Sequence, residues 1–152
     1  MKLLPIDIDE SLNNKFRNNP ECDGVLSVYP DFYKRVGYNK PWIGYFATVD
    51  GSEIVGCGGY KGKPREGKIE IAYSTFRNYE GQGIGTEICR QLVLLSLKTD
   101  PSLKITARTF LENNASTTIL KRNGFECVGI VNDEEDGDVW EWKFQKPNVV
   151  AL

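Results

Sequence analysis

Residues 78–86 read Asn78-Tyr79-Glu80-Gly81-Gln82-Gly83-Ile84-Gly85-Thr86, with a glycine at every second position from 81 to 85. The run before them alternates like a strand, and the run after them is patterned like an amphipathic helix. Such a loop sets successive backbone N–H groups at a helix N-terminus, where the positive end of the helix dipole favours phosphate. A Cβ at these positions would hold a pyrophosphate off the backbone and penalise positive φ. The stretch therefore points to a phosphorylated cofactor. It is not a P-loop, because no Gly-Lys-[Ser/Thr] follows. It also fits a dinucleotide fingerprint poorly: it comes mid-chain after hairpins, and Leu103 stands where the ribose-binding acid belongs.

The rest of the composition narrows the chemistry. The chain has no histidine, which excludes Ser-His-Asp and Cys-His catalysis and the commonest zinc ligand. Proton transfer must use carboxylates, Tyr, Lys, Cys or water. The four cysteines, Cys22, Cys57, Cys89 and Cys127, are widely spaced with no CxxC pair. Buried reduced thiols are expected, with neither disulfides nor a metal site. A net charge of −2 with both signs mixed along the chain argues against nucleic-acid binding. No apolar run is long enough for a membrane span, and Met1-Lys2-Leu3-Leu4-Pro5 is too short for a signal peptide. A cytoplasmic protein without a membrane partner is expected. At 152 residues and 40% hydrophobic content, one domain, 1–152, with a real core is expected.

The elements that must position the loop follow from pattern. Residues 2–6 suit a short strand. Asp9 or Ser11 caps a helix to about Asn18, which Asn18-Asn19-Pro20 breaks. Tyr29, Phe32, Tyr33, Val36 and Tyr38 mark a second short helix. Residues 42–49 and 53–60 form a hairpin about Asp50-Gly51. Residues 68–75 form a strand, with Ile69, Ile71 and Tyr73 alternating with Glu70, Ala72 and Ser74. Beyond the loop, Ile84, Ile88, Leu92 and Leu95 make a helical stripe. Leu103, Ile105 and Ala107 mark a strand. Asn113 or Asn114 caps a helix to about Arg122, stopped by Asn123-Gly124. Two final strands, 125–131 and 139–144, flank the acidic turn 133–138. This order predicts an α+β, mixed α/β fold: a mixed, mostly antiparallel twisted sheet with helices on both faces.

Several of these residues resemble the GNAT N-acetyltransferase family. Glu80-Gly81-Gln82-Gly83-Ile84-Gly85 is similar to its acetyl-CoA loop, R/Q-x-x-G-x-G/A. Glu70-Ile71-Ala72-Tyr73 resembles the strand before that loop. Asn113-Asn114-Ala115-Ser116, with Gly124-Phe125 at the helix end, resembles a second signature. Asp50-Gly51 ahead of Ile54-Val55-Gly56 matches the usual hairpin. The pattern is closest to the branch that acetylates ribosomal-protein N-termini. The resemblance implies a single-domain GNAT-like fold, acetyl-CoA as cosubstrate, and transfer of an acetyl group to a primary amine by direct attack in a ternary complex. The acceptor would be a small molecule or a peptide, and a homodimer is common in such proteins. Glu80 stands where Arg or Gln usually holds the pyrophosphate, and Leu120 where many members carry the Tyr that protonates the thiolate.

Under that reading Glu70 is the general base, directly or through a water. It must deprotonate an ammonium whose pKa is roughly 8 at a chain terminus or 10 on lysine. Backbone groups of Tyr73, Ser74 and Thr75 would face the acetyl and pantetheine, one N–H stabilising the oxyanion. Glu80, Gly81, Gln82, Gly83, Ile84, Gly85 and Thr86 would wrap the pyrophosphate. Asn113 would contact the cofactor, and Ser116 would hold the thiolate or relay a proton. The blander roles are a solvated strand carboxylate or an ion-pair partner for Glu70, a core aromatic for Tyr73, an N-cap for Asn113 and a first-turn helix serine for Ser116. A catalytically inactive acyl-CoA-binding module and an unrelated nucleotide-binding domain are competing readings. Acceptor recognition is assigned to the aromatic segment 29–42 and the acidic turn.

Overall fold

A computed structural model describes residues 1–145; the last residues of the expected domain, 146–152, lie outside them. Seven strands form one sheet. In spatial order they are β1 (Lys2–Pro5), β2 (Gly44–Thr48), β3 (Ile54–Tyr60), β4 (Lys68–Thr75), β5 (Lys104–Thr109), β7 (Gly137–Phe144) and β6 (Phe125–Asp133). Every neighbouring pair is antiparallel except β4–β5, which is parallel. Among the described residues the helices are α1 (Pro20–Leu26), α2 (Tyr29–Val36), α3 (Ile84–Thr99) and α4 (Ala115–Arg122), with 3-10 turns at Glu10–Phe16 and Arg77–Tyr79. The mixed, mostly antiparallel sheet agrees with the expected fold class.

Register assigns the faces. Gly44 pairs with Gly59, and Tyr45 with Gly58. A Cβ on Gly44 would run into the Tyr29 ring of α2, whereas one on Gly58 would lie 2.9 Å from Ile88 and 3.1 Å from Leu92 of α3. Cross-strand partners share a face, so α2 and α3 cover opposite faces, each packed close over strands that lack side chains there. Tyr33 fastens α2: its hydroxyl donates to the Ile6 carbonyl at 2.8 Å and accepts from the Gly44 N–H at 3.0 Å. On the other face the Tyr60 hydroxyl donates to the Leu92 carbonyl at 2.7 Å. The fully buried side chains between these layers include Phe46, Ile69, Ile71, Ile88, Ile105 and Leu120.

Some local expectations are corrected. Asn18-Asn19-Pro20 does not only end an element. The Asn19 side chain accepts from the N–H groups of Glu21 and Cys22, with Pro20 in the first turn, so it starts α1. The element before it is a 3-10 helix capped by Asp9. The buried stripe of α3 is Ile88, Cys89, Leu92, Val93 and Ser96, with Leu95 only half-buried. Cys22 and Cys89 are buried and Cys57 half-buried, but Cys127 is exposed on the edge strand; all four are free thiols. Among the described residues, no helix is long and apolar enough to cross a membrane.

Candidate active site

The parallel pair β4–β5 is joined only over Lys68–Glu70 and Lys104–Thr106. Beyond that the strands part. β4 continues to Thr75 paired with β3 alone, and β5 continues to Thr109 paired with β7 alone. Glu70 is the last paired residue before the parting. The backbone edge of residues 71–75 on the β5 side, which includes Tyr73, Ser74 and Thr75, borders the gap.

Alternation divides the residues beside the gap. Tyr73 and Thr75 lie across from Gly58 and Gly56, hence on the α3 face. Glu70, Ala72 and Ser74 lie on the α2 face, Ala72 across from Gly59 and Ser74 across from Cys57. On the α3 face, α3 begins at Gly83, its N-cap at φ 78°, with no side-chain capping bond. Gly81 has φ 77°, and at both glycines the space that a Cβ would fill is open. The loop therefore offers bare backbone N–H groups at a helix start. Gly85 serves packing instead: a Cβ there would lie 2.6 Å from Ile119 Cδ1 and 3.0 Å from Thr75 Oγ1. It lets α3 close onto β4 and α4, which sets the helix start beside the gap. The Tyr79 hydroxyl donates to Glu53, tying the loop to the β2–β3 hairpin. Glu80 is exposed.

The first turn of α4 meets this side. Asn114, not Asn113, is the cap: its Oδ1 accepts from Ser116 N–H at 2.9 Å and Thr117 N–H at 3.3 Å, and Thr117 closes the capping box. Ser116 sits in the first helical turn, and its carbonyl accepts from the Tyr73 hydroxyl at 3.2 Å. The Tyr73 side chain is partly buried against the core, as a core aromatic would be, and its hydroxyl also ties β4 to α4. Asn113, released from capping, borders a 470 Å³ cavity with Lys121, Trp140 and Trp142. Leu120, fully buried, belongs to the core.

On the α2 face the gap is lined by charge. Arg108 of β5 shares Glu70's side by register and stands among three carboxylates. Its Nη1 is 3.0 Å from Asp133 Oδ2, Nη2 is 3.5 Å from Glu141 Oε1, and Nε is 3.9 Å from Glu70 Oε1. Lys61 Nζ lies 3.8 Å from Glu70 Oε2. Asp133 uses its other oxygen to accept from the Glu135 and Asp136 N–H groups, so the acidic turn is fixed to Arg108. Burial raises the Glu70 pKa from its ordinary value; Lys61 and Arg108 oppose that, while Asp133 and Glu141 add to it. An upward shift makes the carboxylate a stronger base than an exposed one. Sequence reasoning missed Arg108, Glu141 and Lys61. The signal was the polar half of β5, where Thr106 and Arg108 fall on Glu70's side of the alternation.

The comparisons bear on the fold and the family. The model of the acetyltransferase (GNAT) domain matches residues 10–126. An uncharacterized N-acetyltransferase, YjdG, of Bacillus subtilis (strain 168) is 35% identical over 85 residues, covering 55% of this chain and 49% of that protein. The chain thus spans about half the length of the curated relative it matches. Among solved structures, aminoglycoside acetyltransferase AAC(6')-Ib in complex with coenzyme A superposes with TM-score 0.68 at 19% identity, over 95% of this chain and 94% of that one. A variant of spermidine N-acetyltransferase SpeG from Vibrio cholerae superposes with TM-score 0.65 at 13% identity, over 95% and 94%. The resemblance to the ribosomal-protein branch gains no support from these names. The chain belongs to the GNAT acetyltransferase domain family.

Proposed function

We propose that this GNAT-family protein is an acetyl-CoA-dependent N-acetyltransferase acting on a primary amine, with Glu70 as general base. The observation that carries the reading is the gap between β4 and β5, which has an uncapped glycine-loop helix start on one face and a burial-shifted carboxylate on the other. The residues fit acetyl-CoA. Gly81, Gly83 and the N–H groups of Ile84, Gly85 and Thr86 would hold the pyrophosphate, with Gln82 beside it, and backbone groups of residues 73–75 would face the thioester. Glu80 is the misfit: its charge repels a phosphate.

Glu70 takes a proton from the ammonium, directly or through a water. The amine nitrogen then attacks the thioester carbonyl. The N–C bond forms, the C–S bond breaks, and the amide and the free thiol leave. Backbone N–H groups beside the gap stabilise charge on the carbonyl oxygen. Ser116 is the residue we assign to holding the thiolate, which takes its proton from that hydroxyl or from water. The second proton, lost by the nitrogen as the C–S bond breaks, restores that donor. Opposite faces suit direct transfer: the cofactor arrives from the α3 side and the acceptor from the α2 side, without a covalent enzyme intermediate. The names of the solved relatives, spermidine and aminoglycoside acetyltransferases, support a small-molecule amine over a ribosomal protein. The test is thiol release from acetyl-CoA across an amine panel. Amine-dependent release that falls in Glu70→Gln supports the reading. Binding of acetyl-CoA without turnover for any amine would favour the inactive acyl-CoA-binding module.

A further inference from the structure

Two cavities meet on the α2 face, and together they describe an acceptor. The larger, 660 Å³, contains Glu70. One wall is the acidic side: Asp133, Glu134, Glu135 and Glu141. The opposite wall is the β3–β4 turn, with Lys63, Arg65 and Lys68. Basic and acidic side chains line it in equal number. Most of the acidic wall is already neutralised, since Arg108 is paired with Asp133 and Glu141, and Arg35 lies 3.7 Å from Glu135. The three turn cations form no ion pair among the described residues. The turn wall also carries Glu66, which leaves it net positive, while on the facing wall Glu134 is the one acid outside an ion pair among the described residues.

The second cavity is a slot of 270 Å³ further along β4. Gly59 and Ala72 form its floor, and Val28, Tyr29, Phe32 and Cys57 its walls. Phe32 and Lys61 line both cavities, so the slot adjoins the charged one. It is apolar, and an apolar cavity of about 150 Å³ already holds benzene. A polycation gains nothing from a cleft of balanced charge, because like charges facing each other oppose binding.

The geometry points to an acceptor that carries an amine, a carboxylate and an apolar side group: a free amino acid with a hydrophobic or aromatic side chain. The ammonium meets Glu70, the carboxylate meets the turn cations, and the side group enters the slot. This rests on the acetyltransferase reading for its consequence, but its test reads binding. Phenylalanine, phenylalaninamide, phenethylamine and spermidine are titrated into the protein with free CoA present and absent, by calorimetry. Phenylalanine is expected to bind about tenfold more tightly than phenylalaninamide or phenethylamine, and more tightly than spermidine. The double variant Lys63→Glu/Arg65→Glu should lose about tenfold affinity for phenylalanine and less than twofold for phenethylamine. Both side chains are exposed, and the turn is held by backbone bonds between Arg65 and Lys68, so the fold should persist. Spermidine binding most tightly, equal binding of phenylalanine and its amide, equal losses in the variant, or no binding of any amine would each overturn the proposal. Failure of CoA to bind while phenylalanine still binds would sink the acetyltransferase reading alone.

Discussion

On the α3 face of the β4–β5 parting the surface is backbone: two glycines at positive φ, the open space beside them, and the first N–H groups of α3. On the α2 face the surface is side chain: Glu70 from β4, Arg108 from β5, Glu141 from β7, Asp133 from the turn and Lys61 from beyond β3. The first surface comes from nine consecutive residues. The second draws on five separate segments, and its electrostatics exist only once the sheet has formed. A backbone site tolerates side-chain change except where a Cβ or a charge intrudes. A side-chain site can be retuned one residue at a time. That contrast suits the proposed function, in which the backbone face holds the cofactor and the side-chain face chooses the acceptor.

Substitutions on the two faces should therefore fail differently. Glu70→Gln should lower kcat by about 10²–10⁴ while acetyl-CoA affinity stays within twofold, measured by steady-state kinetics and titration. The same variant should be no less stable than the parent at pH 7. A carboxylate whose folded pKa is raised is disfavoured in its charged form, so it costs stability in full above the folded pKa, and the cost fades as pH falls from there to the unfolded value of 4.5. Melting curves at pH 7 and pH 4 check this: the two proteins should converge at the lower pH. A large loss of cofactor affinity in Glu70→Gln would erase the distinction between the faces.

Arg108→Gln removes a cation that holds the Glu70 pKa down. The acid limb of kcat/KM should move to higher pH, costing about tenfold at the acid end and little on the alkaline plateau. A uniform loss at all pH values would make Arg108 a structural residue instead of a positioning one. On the α3 face, Asn114→Ala removes the α4 cap and should cost about 1 kcal/mol of stability, read from denaturant midpoints, with Asn113→Ala costing less. Glu80→Gln should be the smallest change: removing one like charge near phosphate should tighten CoA binding a few fold.

What the sequence made legible follows the same division. The glycine loop, the 68–75 strand and the Asp50-Gly51 hairpin could be read because their geometry is local: alternation, positive φ and Asx turns leave marks in adjacent residues. Glu70 could be read through alternation joined to family resemblance. Arg108 could not be paired with it, since they meet only through the β4–β5 register, and that contact spans a helix. The helix at Pro20–Leu26 was missed because Asn19-Pro20 signals a stop and a start alike. Asn113 and Asn114 could not be told apart as caps until Thr117 was seen to close the box. The branch suggested by residues 113–125 failed for a related reason: a capped helix ending at Gly124-Phe125 serves the fold, and carries little about the acceptor.

The central claim is that the backbone at Gly83 holds the cofactor, and calorimetric titration of acetyl-CoA into the parent and Gly83→Asp tests it most directly. Gly83 has open space beside it and φ 78°, so Asp places a carboxylate, and a strained backbone, where the pyrophosphate would lie. Micromolar binding by the parent, weakened at least a hundredfold in Gly83→Asp with the fold retained by circular dichroism, is the predicted result. Equal affinity in both proteins, or no binding by the parent, would contradict it.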